Sequence, residues 1–379
     1  MVVLFRPTIA VLSRRPHTRM GHQKRIGILT SGGDCAGLNA AIRAVVHSAV
    51  DTYGWDVLGI RQATHGLMVR PPEAIALTPE SIDPYLTRGG TMLGTTNKGN
   101  PFAFPMPDGT TRDRSQEIID GYHELGLDAL VGIGGDGSLA ILRRLAQQGG
   151  LNLVGIPKTI DNDVGVTECS IGFDTAVSVA TEAVDQLHFT AASHSRIMIV
   201  EVMGRDAGHI AMCAGIAGGA DIILVPEIPY TIDGICQTIQ KRQKHGKNYS
   251  LIVVAEAVRT ESGNLVTIEQ SAEGCRLGGV GQYLSEQLCR HMSCETRVTV
   301  LGHTQRGGRP THLDRLIATC FGVAAVELIA KEKFDHVVTW QHRSVVAVPI
   351  EEAISKYSAV NPHGTLATTA RRLGIFLGS

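Results

Sequence analysis

Ala129-Leu130-Val131-Gly132-Ile133-Gly134-Gly135-Asp136-Gly137-Ser138 is the stretch on which the reading of this chain turns. Its first five residues are an apolar run with no polar alternation, the mark of a strand buried on both faces. Three glycines, an aspartate and a serine follow, and Ser138–Gln148 then carries a helical pattern. A strand that passes through glycines into a helix leaves unobstructed backbone amides at the helix N-terminus, which together make an anion site. Three readings fit the string: a tight structural turn, a G-x-G-x-x-G dinucleotide fingerprint, and a nucleotide-phosphate loop with Mg²⁺. Two features count against the dinucleotide. Asp136 would set a carboxylate where pyrophosphate lies, and the next strand, Leu151–Ile156, ends in Pro157-Lys158 rather than in an acid for a ribose hydroxyl. A carboxylate inside a phosphate cradle points instead to Mg²⁺ bridging phosphate oxygens.

The same pattern extends in both directions. Apolar runs at Ile26–Thr30, Trp55–Ile60, Ile197–Val202, Ile222–Val225, Leu251–Ala255 and Thr296–Leu301 predict further strands. Between them, Ala36–Val50, Thr175–Leu187, Thr231–His245, Gly281–Met292 and Leu313–Lys331 read as helices. Continuous rather than alternating strands predict an α/β fold with a mainly parallel sheet, in which ligands sit beyond the carboxyl ends of the strands. Lys98–Ser115, with Pro101, Pro105, Pro107 and Asp108-Gly109, reads as an irregular surface excursion. Val337–Pro349 reads as a late pair of short strands.

Composition narrows the classes. The chain has 379 residues, 43 of them glycine, with 35 Lys+Arg against 36 Asp+Glu. Near-neutral charge supplies no field for a polyanion, so nucleic acid is not an expected partner. No apolar run approaches the roughly 20 residues that span a bilayer, so no membrane is expected either. The eight cysteines show no CxxC pair or metal-ligand spacing and read as reduced thiols of a cytoplasmic protein. Residues 1–24 hold Arg6, Arg14, Arg15 and Arg19 and no acid; they read as a leader, disordered or a mis-called start.

Strand ends carry the remaining chemistry. After the first strand, Ser31-Gly32-Gly33-Asp34 runs into a helix and is a second possible anion loop. Pro157-Lys158-Thr159-Ile160-Asp161-Asn162-Asp163 places two carboxylates two residues apart, able to divide labour between a hydroxyl and Mg²⁺. Arg196, Met203-Gly204-Arg205, Glu256, Arg297 and His303-Thr304-Gln305-Arg306-Gly307-Gly308 follow later strands. Arginine forks suit the terminal oxygens of a phosphomonoester, and Glu256 suits sugar hydroxyls.

Taken in this order, these strings resemble the 6-phosphofructokinase family over roughly residues 25–335, and look like its cyanobacterial or plant-lineage branch. The resemblance implies two Rossmann-like lobes with mainly parallel sheets and an active site in the cleft between them. Residues 25–172 with about 305–350 would form the donor-nucleotide lobe, and 173–304 with the C-terminal segment the sugar-phosphate lobe. It implies phosphoryl transfer from MgATP to the 1-hydroxyl of fructose 6-phosphate in glycolysis. Asp161 then matches the catalytic base, Thr159 a contact to the transferred group, and Asp136 and Asp163 the Mg²⁺-associated acids. Gly32, Gly33, Gly134, Gly135, Gly137 and Ser138 match the donor-phosphate cradle. Met203, Gly204, Arg205, Glu256, His303 and Arg306 match sugar-phosphate contacts. Arg196 and Arg297 match arginines that reach a neighbouring subunit's site in bacterial relatives, which implies a homotetramer.

Two departures bear on the donor. Gly137 is the residue of ATP-using relatives, where pyrophosphate users carry aspartate. Lys158 is the residue of pyrophosphate users, and Lys98 stands near the place of a bridging arginine. Pyrophosphate or ADP as donor is therefore the alternative reading, and a non-catalytic sugar-phosphate-binding subunit the remote one.

Overall fold

The structure, a computed structural model, describes residues 23–271 and 274–378. Of the leader expected over residues 1–24, only Gln23 and Lys24 fall within the described residues.

The chain builds two main sheets, one mixed but mainly parallel and one wholly parallel, around a shared apolar interior. The larger has seven strands in the order Ser344–Pro349, His336–Gln341, Leu153–Pro157, Ala129–Gly134, Arg25–Thr30, Asp56–Ile60, Ala74–Leu77. Its five inner strands are parallel, and an antiparallel strand closes each edge. The smaller sheet has four parallel strands in the order Thr296–Val300, Ile197–Val202, Ser250–Ala255, Ile222–Leu224.

Position in the sheet explains the sequence of each strand. Ala129–Gly134, Leu153–Pro157, Ile197–Val202 and Ser250–Ala255 are interior strands and are buried at every residue. Helices cover both faces, so nearly every side chain enters an apolar layer; buried Glu201 is the charged exception and accepts from the Gly279 and Gly281 N–H groups at 2.9 and 2.8 Å. Thr296–Val300 departs from the expected continuous burial. It is an edge strand with alternating exposure, and Val300 is open to solvent. The late strand pair is found as the hairpin His336–Gln341 and Ser344–Pro349.

The predicted helices appear within a few residues of their expected bounds, as Leu38–His47, Asp136–Gly149, Phe173–His194, Ile232–Lys244, Val280–His291 and His312–Ala330. Phe173–His194 is longer than its apolar periodicity indicated, because its last turns continue on alanines and polar residues. The strand Ala74–Leu77 and the helices Ser115–Glu124 and Thr365–Arg372 were not anticipated.

Phe173–His194 lies against the smaller sheet and also touches His312–Ala330, which packs on Leu38–His47 beside the larger sheet. A buried carboxylate fixes that junction. Asp314 accepts from the Gly172 and Thr175 N–H groups, 2.8 Å each, and from the Thr175 hydroxyl at 2.5 Å. The carboxyl ends of strands from both sheets are thereby held toward one cleft.

Candidate active site

A cavity of about 490 Å³ occupies that cleft. Its walls come from loops that follow strands of the larger sheet (Ser31–Gly33, Gly135–Ser138, Lys158–Asp163) and from Arg205, Glu256 and Arg306 beyond the smaller one.

Two glycines in the first loop have a steric reason. Gly32 has φ +85°, and a Cβ there would stand 3.0 Å from Ser138 Oγ and 3.3 Å from Lys158 Nζ. A Cβ on Gly33 would stand 2.8 Å from Arg306 Nη1. Only bare backbone lets the loop, the lysine and the arginine come this close. Thr95 holds the loop from behind, donating its hydroxyl to the Gly32 carbonyl at 2.7 Å, and the Gly32 N–H reaches Thr96 O at 2.9 Å.

The second loop passes into a helix at Asp136, two residues earlier than the periodicity indicated, with Gly135 as N-cap. Asp136, Gly137 and Ser138 therefore form the first turn, where backbone N–H groups lack acceptors inside the helix and favour an anion. A Cβ on Gly137 would meet nothing within 4 Å, so this glycine faces open cavity.

The third loop carries the carboxylates and is the most tightly braced. Ser170 donates its hydroxyl to Thr159 O at 2.7 Å, and Asn162 Oδ1 accepts the Ser170 N–H at 2.9 Å. From the C-terminal segment, the Ser358 N–H reaches Asp163 O at 2.8 Å and Lys356 O accepts the Gly165 N–H at 3.0 Å. On this frame Asp161 is only 7% exposed, and its Oδ1 is buried with no hydrogen-bond partner among the described residues. Burial first, and Asp163 second, push its carboxyl up to about 6 against the pull of Arg306, Arg205 and Lys158. Burial also raises Asp163, while the Thr159 hydroxyl bonded to it lowers it. Glu256 is pushed up to about 7, by burial and then by Asp161, although the Gly204 N–H bonds to it. Three acids that resist ionisation thus face two arginines in one cavity.

Lys158 is buried, and its ammonium donates to the Gly33 carbonyl. Burial holds it below the ordinary lysine value. Arg306 donates through Nη1 to Asp34 O at 3.1 Å, which ties the Gly302–Arg306 turn to the first glycine loop.

Of the residues singled out from sequence, the cavity brings together Gly32, Gly33, Lys98, Gly135, Asp136, Gly137, Ser138, Lys158, Thr159, Asp161, Asp163, Arg205, Glu256 and Arg306. Gly134, Met203 and Gly204 do not line it, and His303 is exposed on the turn that carries Arg306. Arg196 and Arg297 do not line it. Both pair with Glu295 instead, Arg196 at 2.9 Å. Thr64, Asn100, Pro101 and Ile141 line the cavity without having been singled out. Thr64 was findable, because it follows the carboxyl end of Asp56–Ile60 as the strand-end rule requires.

A smaller cavity of about 380 Å³ adjoins the first and shares Thr64, Thr96, Lys98 and Gly99 with it. Its other walls include Met68, Phe104 and Pro105.

The description Phosphofructokinase belongs to the family whose model matches residues 25–329, most of the chain. The chain belongs to the phosphofructokinase family. Among phosphofructokinases, a Synechocystis sp. protein named ATP-dependent 6-phosphofructokinase 1 is 66% identical over 95% of this chain and 100% of its own length. A Nostoc sp. protein of the same name is 67% identical over the same shares. The solved phosphofructokinase of Saccharomyces cerevisiae superposes with a TM-score of 0.75 at 31% identity, covering 88% of this chain and 45% of that one. A pyrophosphate-dependent phosphofructokinase from Marinobacter aquaeolei shares the fold, with a TM-score of 0.77 at 21% identity over 94% and 92%. The expected phosphofructokinase-like architecture and the likeness to cyanobacterial members are both borne out.

Proposed function

We infer that this chain transfers the terminal phosphoryl group of ATP to the 1-hydroxyl of fructose 6-phosphate, giving fructose 1,6-bisphosphate and ADP, as in glycolysis. The observation that carries this reading is Asp161: a buried carboxylate with an unpartnered oxygen, set between a glycine-lined anion cradle and two arginines. Such an oxygen is positioned to take the proton from a sugar hydroxyl, with Thr159 beside it at the transferred group. Arg205, Arg306 and Glu256 suit the sugar phosphate and its hydroxyls. Gly32, Gly33 and the Gly135–Ser138 turn suit the donor phosphates, with Lys98 and Lys158 adding positive charge. Catalysis of this kind is mainly positioning and charge stabilisation.

Mg²⁺ fits the donor set. Among the described residues no group of three or more His, Cys, Asp or Glu is placed to hold a metal by itself. Two carboxylates, Asp136 and Asp163, do share the cavity. Mg²⁺ commonly takes one or two carboxylates together with substrate phosphates. Those two would hold it, and when bound it neutralises charge on the donor phosphates.

The adjoining cavity with Met68, Phe104 and Pro105 offers room for a nucleoside, which supports ATP over pyrophosphate. Steady-state assays of purified protein with ATP, ADP and pyrophosphate test the donor directly. Turnover with pyrophosphate exceeding that with ATP overturns the choice, and no turnover with any donor favours a non-catalytic subunit.

The larger sheet with its loops is read as the donor lobe and the smaller as the sugar-phosphate lobe. Arg196 and Arg297, outside their own chain's cavity, are read as serving a neighbouring copy in a homotetramer. Arg297→Ala is expected to raise KM for fructose 6-phosphate at least about tenfold, the scale of one charged hydrogen bond. An unchanged KM removes Arg297 from the site. No helix among the described residues is long and apolar enough to cross a membrane.

Glu256 gives the sugar half a pH signature. With its carboxyl at about 7, lowering the pH from 8 to 6 protonates it and removes a charged acceptor from the sugar. KM for fructose 6-phosphate is expected to climb over that range in the native protein more steeply than in Glu256→Gln. Parallel profiles for the two proteins would exclude Glu256 from sugar binding.

A further inference from the structure

Ile197–Val202 runs between Thr296–Val300 and Ser250–Ala255, with Val300 opposite Glu201 and Val202 opposite Ala255. The ladder closes with the Glu256 N–H on Val202 O at 2.9 Å on one side and the Leu301 N–H on Glu201 O at 3.0 Å on the other. Past Leu301 the chain enters the 3₁₀ turn Gly302–Arg306 and offers no further ladder acceptor. The next donor, the Met203 N–H, finds its acceptor in a side chain: Gln305 Oε1, at 2.8 Å.

Gln305 is 1% exposed. Because a backbone N–H only donates, the atom facing it is the carboxamide oxygen, and the orientation of the group is settled. Gln305 Nε2 is then buried with no acceptor among the described residues. A methionine would remove that unpaired Nε2 but would leave the Met203 N–H without its acceptor, so the carboxamide satisfies a backbone donor while burying an unpaired donor of its own. What it gains is a fixed link between two turns. Gln305 is next to Arg306, whose guanidinium lines the cavity, and Met203 begins the turn that carries Arg205. That turn is closed by Gly204 at φ +144° and by the Ala207 N–H on Gly204 O at 2.9 Å. The Arg205 side chain is 77% exposed, and its recorded ion pair, Asp206 at 3.8 Å, is equally exposed. Its placement therefore depends on the backbone beneath it.

We propose that Gln305 is a positioning residue for the sugar-phosphate end of the site, fixing through Met203 the turn that sets Arg205 against Arg306. The proposal rests on the reading of Arg205 and Arg306 as sugar-phosphate contacts. Gln305 itself touches no substrate in this scheme; it acts through the backbone of its neighbour.

The test is a double-mutant cycle in the full chain, read by steady-state kinetics. Gln305→Met is expected to raise KM for fructose 6-phosphate about fivefold or more, with KM for ATP within about twofold. In an Arg205→Ala background the same substitution is expected to add less than about twofold, because both act on one contact. Gln305→Glu, kept protonated by burial, restores an acceptor of the same shape and is expected to stay within about twofold of the native KM. The proposal is overturned if Gln305→Met leaves KM unchanged, or if its effect multiplies fully with that of Arg205→Ala. It is equally overturned if Gln305→Glu is as impaired as Gln305→Met, and this variant decides the matter if Gln305→Met does not fold. An Arg205→Ala variant with native KM would instead remove the underlying sugar-phosphate reading, which keeps the two failures apart.

Discussion

Asp161→Asn is expected to lower kcat by about 10²–10⁴-fold, the usual worth of a positioned general base, while raising the melting temperature. Loss of activity follows because an amide oxygen of the same shape cannot hold the hydroxyl's proton. The gain in stability follows from burial. A carboxyl held at about 6 rather than 3.8 is harder to ionise in the folded chain than in the unfolded one, by about 3 kcal/mol. The sign is that of a raised acid. Its contribution to stability is full below 3.8 and is lost as pH rises through 6, so at pH 8 the ionised Asp161 opposes folding. A neutral asparagine does not carry that term. Thermal unfolding of both proteins in chelator at pH 8 and pH 5 should show a higher midpoint for the variant at pH 8 and a smaller difference at pH 5. Turnover within tenfold of the native rate would remove Asp161 from the role of base. An equal or lower melting temperature would mean that its environment is less hostile to charge than its burial indicates.

Much of the fold was legible because interior parallel strands leave few choices. Ala129–Gly134 and Leu153–Pro157 are apolar at nearly every position, and their loops announce themselves by glycine and acid. The glycine-lined half of the cavity was legible for the same reason: loops that come close to one another need bare backbone, and bare backbone is written as glycine. What was not legible depends on partners distant in sequence. Nothing near residue 163 shows that Ser358 bonds its carbonyl, and nothing near Met203 shows that Gln305 supplies its acceptor. Ser170 likewise braces Thr159 from eleven residues away by a contact that no periodicity encodes. Arg196 and Arg297 mark the other limit. Their residue types suit a phosphate, but the lone chain turns both toward Glu295. A spacing pattern cannot distinguish an arginine aimed at its own cavity from one aimed outward.

Gly137→Asp should separate donor recognition from every other property of the molecule. A Cβ at this position meets nothing within 4 Å, so the new side chain displaces no neighbour. It lies in the first turn of Asp136–Gly149, where an acid interacts favourably with the helix dipole and where aspartate is a better helix residue than glycine. The fold is therefore expected to persist, with a melting temperature equal to the native one or slightly higher. The effect falls on the ligand. A carboxylate about 5 Å from a donor phosphate, at an effective dielectric near 20, is repelled by about 3 kcal/mol, or about 10²-fold in affinity. kcat/KM for ATP is expected to fall by that factor, while KM for fructose 6-phosphate changes little because Arg205, Glu256 and Arg306 are untouched. Gly137→Ala adds the Cβ without the charge and is expected to stay within about twofold of native, since the space is open. If alanine is as damaging as aspartate, the position is limited by room rather than by charge. If neither variant changes kcat/KM for ATP, the donor phosphates do not approach this turn, and the cradle has to be sought at Gly32 and Gly33 alone.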